Sequence, residues 1–332
     1  MTDAKETDAS AKPPRPLIEL PGFEERFAEA RGSRLRYLVG GDGDPLVLVH
    51  GLGGAAANWL ALAPLLLPGR RLLVPELPGH GGSSAPSAAP SLNAYADPIA
   101  LLLERETGPV PVVGHSLGGA ILLRLTIRRP ELVNALVLAG AAGISSGSRR
   151  ARYTLAMTGL VKPGRRIAPY RRLVARSALL KTLVFGRWGA SDPAALPAEV
   201  AEAFLSGPAF HTDTVSAARA LVREDPRADL DRVRCPVLLL WGARDNQLPV
   251  GDAFEYARRL RAPLRVIADC GHLLIGERPD ACADAIQEFL AGERVVPPRL
   301  DRGAQILTGD LSDPNGARYQ AAPHPERRQV SA

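Results

Sequence analysis

With 332 residues, 46% of them apolar, and a formal net charge of +6, the chain has room for one large α/β domain with an insertion or for two domains. No apolar run in it approaches the ~18 uninterrupted residues of a membrane span. Cys235, Cys270 and Cys282 are too few and wrongly spaced for a zinc site or a disulfide framework, and they read as small buried or half-buried residues in a reducing compartment.

The start, Met1-Thr2-Asp3-Ala4-Lys5-Glu6, is polar with no apolar stretch behind it, so no secretory signal is visible and a cytoplasmic location is expected. Residues 1–16, rich in Ala, Pro and charge, read as a disordered tail. The first clear strand is Asp44-Pro45-Leu46-Val47-Leu48-Val49, which runs into His50-Gly51-Leu52-Gly53-Gly54. Gly51-Leu52-Gly53-Gly54-Ala55-Ala56 also satisfies Gly-x-Gly-x-x-Ala after a strand, and Glu76 follows at a distance suited to a ribose hydroxyl. A dinucleotide-binding oxidoreductase would, however, leave the rest of the pattern unexplained.

That pattern centres on Gly114-His115-Ser116-Leu117-Gly118. Pro109–Val113 before it is short, apolar and β-rich, and Gly119–Arg129 after it is a good helix ending before Pro130. A Gly-x-Ser-x-Gly between strand and helix reads as a nucleophile elbow, a turn so sharp that small residues are needed two before and two after the serine. A serine hydroxyl is a poor nucleophile at neutral pH, so a base and an orienting acid must follow. Pro236–Gly242 has a buried-strand pattern, with Asp245 just past its end. Leu264–Ile267 makes another short strand, followed by Asp269-Cys270-Gly271-His272. Of the histidines beyond the elbow, His324 lies in a polar tail and His211 in a segment without strand character, which leaves His272 as the base. Asp252 falls in a helix from Val250, where a first-turn carboxylate suits the dipole, and Asp269 is too close in sequence to reach the far nitrogen of His272. Asp245 is therefore the expected acid. The backbone N–H groups of Leu52 and Leu117 are the expected oxyanion hole, and His50 is expected to brace its loop rather than move protons.

Between Ala141 and Gly189 the sequence holds eleven Arg or Lys and no Asp or Glu, with apolar residues such as Leu155, Leu160, Leu173, Leu179 and Leu183 at helical intervals. It reads as an arginine-rich surface over an apolar substrate tunnel, or as a face for anionic membrane or anionic substrate. No nucleic-acid motif or aromatic interleaving is present. The helix Pro279–Leu290 is expected to close the folded unit, and residues 293–332 read as a second disordered tail.

His50-Gly51 after a strand, Pro78-Gly79-His80-Gly81-Gly82-Ser83-Ser84, the elbow, Asp245 and His272 together resemble the α/β-hydrolase fold superfamily, in particular its lipase, esterase and meta-cleavage-product hydrolase branch. The likeness covers about residues 20–292 and is weakest over 141–230. It implies a mostly parallel eight-stranded sheet flanked by helices, with a helical cap inserted after the sixth strand. The expected division is a core of 17–140 and 231–292 and a cap of 141–230. Ser116 disfavours the aspartate-nucleophile branches, and Glu76 stands where many relatives carry aspartate. The expected activity is hydrolysis of a small to medium apolar acyl compound, a carboxylic ester first of all, through an acyl-enzyme without metal or organic cofactor. Carbon–carbon bond hydrolysis, acyl transfer and a ligand-receptor role on the same fold are the alternatives. The expected partners are a small acyl substrate and, through the basic stretch, an anionic membrane surface; the sequence does not set an oligomeric state.

Overall fold

The computed structural model describes residues 19–148, 166–186, 189–210 and 214–292, all within the unit Met1–Val295. The expected tails, 1–16 and 293–332, lie outside the described residues. Eight strands form one sheet: β1 (Glu24–Ala30), β2 (Ser33–Gly40), β3 (Asp44–Val49), β4 (Arg70–Pro75), β5 (Val110–His115), β6 (Val133–Ala139), β7 (Val237–Gly242) and β8 (Leu264–Ile267). Their order is β1-β2-β4-β3-β5-β6-β7-β8. β2 runs antiparallel to β1 and β4, and every other neighbouring pair is parallel. The fold is the α/β-hydrolase architecture expected from the sequence.

The central strands are unbroken apolar runs because a parallel sheet is buried on both faces. Alternation then sorts their side chains. Val47, Val49, Val112, Leu136, Leu138, Leu239 and Trp241 face one core, with Tyr95, Ile99 and Leu103 of α2 (Leu92–Glu106), Ile121 and Leu125 of α3 (Leu117–Arg128). Leu46, Leu48, Val113, Val137, Leu238 and Leu240 face the other, with Leu66 of α1 (Ala63–Leu66) and Trp59. The two cores hold helices against both faces of the sheet.

Between β6 and β7 the described chain contains only helices: α4 (Arg171–Arg176), α5 (Ala178–Phe185), α6 (Ala198–Phe210) and α7 (Thr214–Val222), with short 3₁₀ turns between them. No strand occurs there among the described residues. α6 packs on α4 and on the 3₁₀ turn Ala56–Trp59 that follows the β3 loop. Beyond the sheet come α8 (Val250–Leu260), α9 (Leu274–Glu277) and α10 (Pro279–Leu290). β3 leads outward to β4, whereas β5 lies on β3's other side, so the chain reverses its direction of travel across the sheet there. At such a switch point the loops past the carboxyl ends part, and a crevice opens for a ligand. The loops carrying Leu52 and Ser116 both leave the sheet at this point.

Candidate active site

β5 ends at His115 and α3 starts at Leu117, so Ser116 alone makes the reversal from strand to helix. It does so at φ +53°, ψ −116°, outside the regions open to ordinary L-residues. Such a conformation costs of order 1–3 kcal/mol and persists only where the surroundings over-determine it. Here Ser116 N–H donates to Ala139 O at 3.0 Å, and Ala142 N–H donates to Ser116 O at 3.0 Å, stitching the serine to the end of β6. The flanking glycines are a matter of space. A Cβ on Gly114 would lie 2.6 Å from Gly119 Cα, and one on Gly118 would lie 2.3 Å from Val49 O.

Two further strand ends bring the partners in. His272, after β8, places Nε2 3.0 Å from Ser116 Oγ, and its Nδ1 lies 2.8 Å from Asp245 Oδ2, after β7. The Asp245 side chain is fully buried, and its Oδ1 accepts from Gln247 N–H at 2.8 Å and Leu248 N–H at 2.9 Å. The carboxylate so held fixes the proton on Nδ1 and leaves Nε2 to accept from the serine hydroxyl. Asp252 goes elsewhere: it is buried in the first turn of α8 and accepts from Ser145 N–H at 3.0 Å and from Ser145 Oγ–H. Asp269 pairs with Arg244 at the surface.

Neither the Leu52 N–H nor the Leu117 N–H is spent on a hydrogen bond among the described residues. Leu117 opens α3, whose first amides point toward whatever lies over Ser116. A Cβ on Gly51, next to Leu52, would sit 3.0 Å from Ser116 Cβ, so the β3 loop closes directly on Ser116. His50 does brace this loop: its Nδ1–H donates to Gly51 O at 2.8 Å, and its Nε2 accepts from Leu77 N–H at 3.1 Å. Glu76 is consumed in the same scaffold. Fully buried, it pairs with Arg36 Nη1 at 2.9 Å and accepts from Ala56 N–H and Gly82 N–H, which removes it from any ribose-binding role.

Two residues that the sequence reading passed over hold the histidine. His115 is buried, and its Nε2–H donates to His272 O at 2.9 Å. Burial lowers its pKa to about 3, assisted by the nearby His272, so the ring is neutral. Glu277 accepts from the amides of Gly271 and Leu273 on either side of His272, and from Ser191 N–H of the inserted segment at 2.7 Å. Burial raises its pKa against these three donors. The His272 N–H itself donates to Gly189 O at 2.6 Å. His115 sat in plain view inside the elbow, whereas Glu277's spacing from His272 carries no signal of its own.

Some expectations are corrected. Leu173, Leu179 and Leu183, read as walls of a substrate tunnel, are 60–69% exposed, whereas the neighbouring Val174 and Phe185 are buried. Leu155, Leu160, His211 and His324, and the Phe210 side chain, lie outside the described residues.

An elbow carrying Ser116 after β5, a carboxylate loop after β7 and a histidine loop after β8 place the chain in the α/β-hydrolase class. Residues 46–285 match the alpha/beta hydrolase family, and the chain belongs to that family and is an enzyme of it. It is 37% identical over 259 residues, 74% of this chain and 98% of the relative, to a pimeloyl-[acyl-carrier protein] methyl ester esterase of Aromatoleum aromaticum. It is 30% identical to a 2-hydroxymuconate semialdehyde hydrolase of a Pseudomonas species, covering 79% of this chain and 92% of the relative. Among solved structures, a bacterial membrane phospholipase A superposes with a TM-score of 0.65 at 26% identity, over 83% of this chain and 88% of that one.

Proposed function

We propose that this chain is a serine hydrolase that cleaves a carboxylic ester of a small to medium, largely apolar acyl compound. The observation that carries the reading is Ser116 Oγ, set on a strained elbow 3.0 Å from His272 Nε2. Ser116 Oγ attacks the ester carbonyl as its proton passes to Nε2, and the carbonyl electrons move to oxygen, where the Leu52 and Leu117 amides bind the oxyanion. On collapse the C–O bond to the alcohol breaks, and the imidazolium returns its proton to the leaving alkoxide. Water, deprotonated by the same nitrogen, then releases the carboxylic acid and regenerates the serine. Asp245 keeps the imidazole in one tautomer and stabilises its cation. The cycle consumes only ester and water, so it calls for no metal or organic cofactor.

Residues 141–230 serve in this reading as a cap over a core of 17–140 and 231–292. In its support, α6 lies against the β3 loop: a Cβ on Gly207 would stand 2.4 Å from Gly53 O. The free cysteines, with Cys270 and Cys282 buried, support a reducing compartment such as the cytoplasm. Among the described residues no helix is long and apolar enough to cross a membrane. An ester is preferred to a carbon–carbon bond because the methyl ester esterase is the more similar of the two relatives reported above.

The test is turnover of p-nitrophenyl acetate and butyrate by the wild type and Ser116→Ala. A loss of roughly 10⁴-fold is expected for a true nucleophile, and equal rates for the two proteins would refute the assignment. A longer acyl series, run beside a vinylogous diketone and an amide, decides the bond. Ester turnover peaking at short or medium chains supports the reading, and a ketone kcat/KM far above any ester overturns it.

A further inference from the structure

Seven large apolar side chains are exposed among the described residues, and four of them fall within a span of fourteen residues. These are Tyr170 at 64%, Leu173 at 61%, Leu179 at 69% and Leu183 at 60%. Tyr170 and Leu173 are three residues apart and Leu179 and Leu183 four, so each pair shares one face of its helix turn. The opposite faces are committed inward through Val174, Ala175 and Phe185. α5 cannot roll to hide its leucines, because Lys181 is buried and its ammonium donates to Ala194 O at 2.7 Å and Leu196 O at 2.5 Å. The outward leucines are a fixed feature of the insertion, one that the proposed hydrolysis does not use.

The charges around them have one sign. Residues 166–186 hold Arg166, Arg171, Arg172, Arg176 and Lys181 and no carboxylate. Glu202 of α6 pairs with Arg171 and Arg172, yet the Arg172 side chain remains 74% exposed. Arg166 and Arg176 are exposed and have no carboxylate partner among the described residues.

We propose that the outer face of α4 and α5 docks on an anionic lipid bilayer. Leu173, Leu179 and Leu183 enter the boundary between headgroups and acyl chains, Tyr170 lies at the headgroup level, and Arg166, Arg172 and Arg176 meet lipid phosphates. Aliphatic side chains with interspersed arginines suit this surface, since the arginine stems follow the leucines inward while their guanidinium groups stay among the headgroups. A second copy of the chain is a poor occupant, because a two-fold interface would set this cationic face against itself.

Flotation of the full chain with phosphatidylcholine vesicles, with and without phosphatidylglycerol, tests the proposal. Roughly tenfold or more enrichment on anionic vesicles at low salt is expected, declining as salt screens the arginines. Leu179→Asp/Leu183→Asp should abolish binding, and Arg172→Glu/Arg176→Glu should remove its dependence on phosphatidylglycerol. Both act at exposed positions, and their melting curves check folding. On the wild type, hydrogen exchange should slow over 170–183 when anionic vesicles are added. Ser116→Ala should bind as the wild type does, which separates docking from the catalytic reading. Equal partition onto both vesicle types overturns the proposal, as does wild-type binding by both double variants. So does a face already protected in free protein, by a second copy or by residues 149–165, or one that captures an acidic protein while ignoring vesicles.

Discussion

His115 shows what a histidine beside Ser116 does when its ring is committed to structure. Its ring is held neutral by burial, with a pKa near 3 against 6.5 in the unfolded chain. The native state therefore lacks a proton that the unfolded state binds between those values. Stability from this group is complete above pH 6.5 and is lost as pH falls toward 3, at up to ~1.4 kcal/mol per pH unit. His115→Gln keeps an N–H for His272 O and removes the titration. Melting temperatures between pH 7 and 4 should fall more steeply for the wild type than for the variant, and parallel slopes would contradict this. Ser116, Asp245 and His272 were legible in the sequence because each ends a strand marked by glycine or a turn. The roles of His115 and Glu277 were not, because their partners are chosen by how distant loops meet; His115 and His272 are 157 residues apart.

At the scale of elements, buried parallel strands are the easiest to read, since they are continuous apolar runs with sharp ends. β3, β8 and α10 have the expected limits, while β5 extends to His115 and α3 begins two residues early at Leu117. What periodicity does not reveal is which way an apolar stripe faces: Leu179 and Leu183 fit a buried stripe and lie outside. Nor does it reveal the brace between β2 and β4, where Arg36 and Glu76 form a buried ion pair and Glu76 also holds the amides of Ala56 and Gly82. Without the Glu76 charge the buried Arg36 keeps only its ion pair with the part-exposed Glu25, at 2.6 Å, so Glu76→Gln should cost ~1–3 kcal/mol in urea unfolding. Arg36→Met/Glu76→Gln should recover part of that loss, since the glutamine oxygen still accepts from one of the two amides. A double variant weaker than the sum of the singles would show that the pair itself, rather than the stranded charge, carries the stability.

For the whole molecule, strand order cannot be read from any one residue, and here it came through resemblance to a known architecture. The structure adds a link between the insertion and His272 that neither resemblance nor pattern supplied. Gly189 O accepts from the His272 N–H, and Ser191 N–H donates to the same Glu277 carboxylate that holds Gly271 and Leu273. Gly189 also packs tightly, since a Cβ there would stand 2.6 Å from His272 Cβ. In the reading proposed above, a cap fastened at this point cannot lift as one rigid body without moving the base, so substrate entry has to bend the insertion elsewhere. Glu277→Gln tests the link: an amide has one acceptor oxygen for three N–H donors, and its NH₂ faces them as a competing donor. Leaving buried amides unpaired costs ~1–3 kcal/mol, which corresponds to a roughly 10–100-fold loss of kcat if it falls on the position of His272. Hydrogen exchange should rise together at 189–191 and 271–273, although the two segments are some eighty residues apart. Faster exchange at 271–273 alone would mean that Glu277 serves only its own loop and that the insertion moves independently of the base.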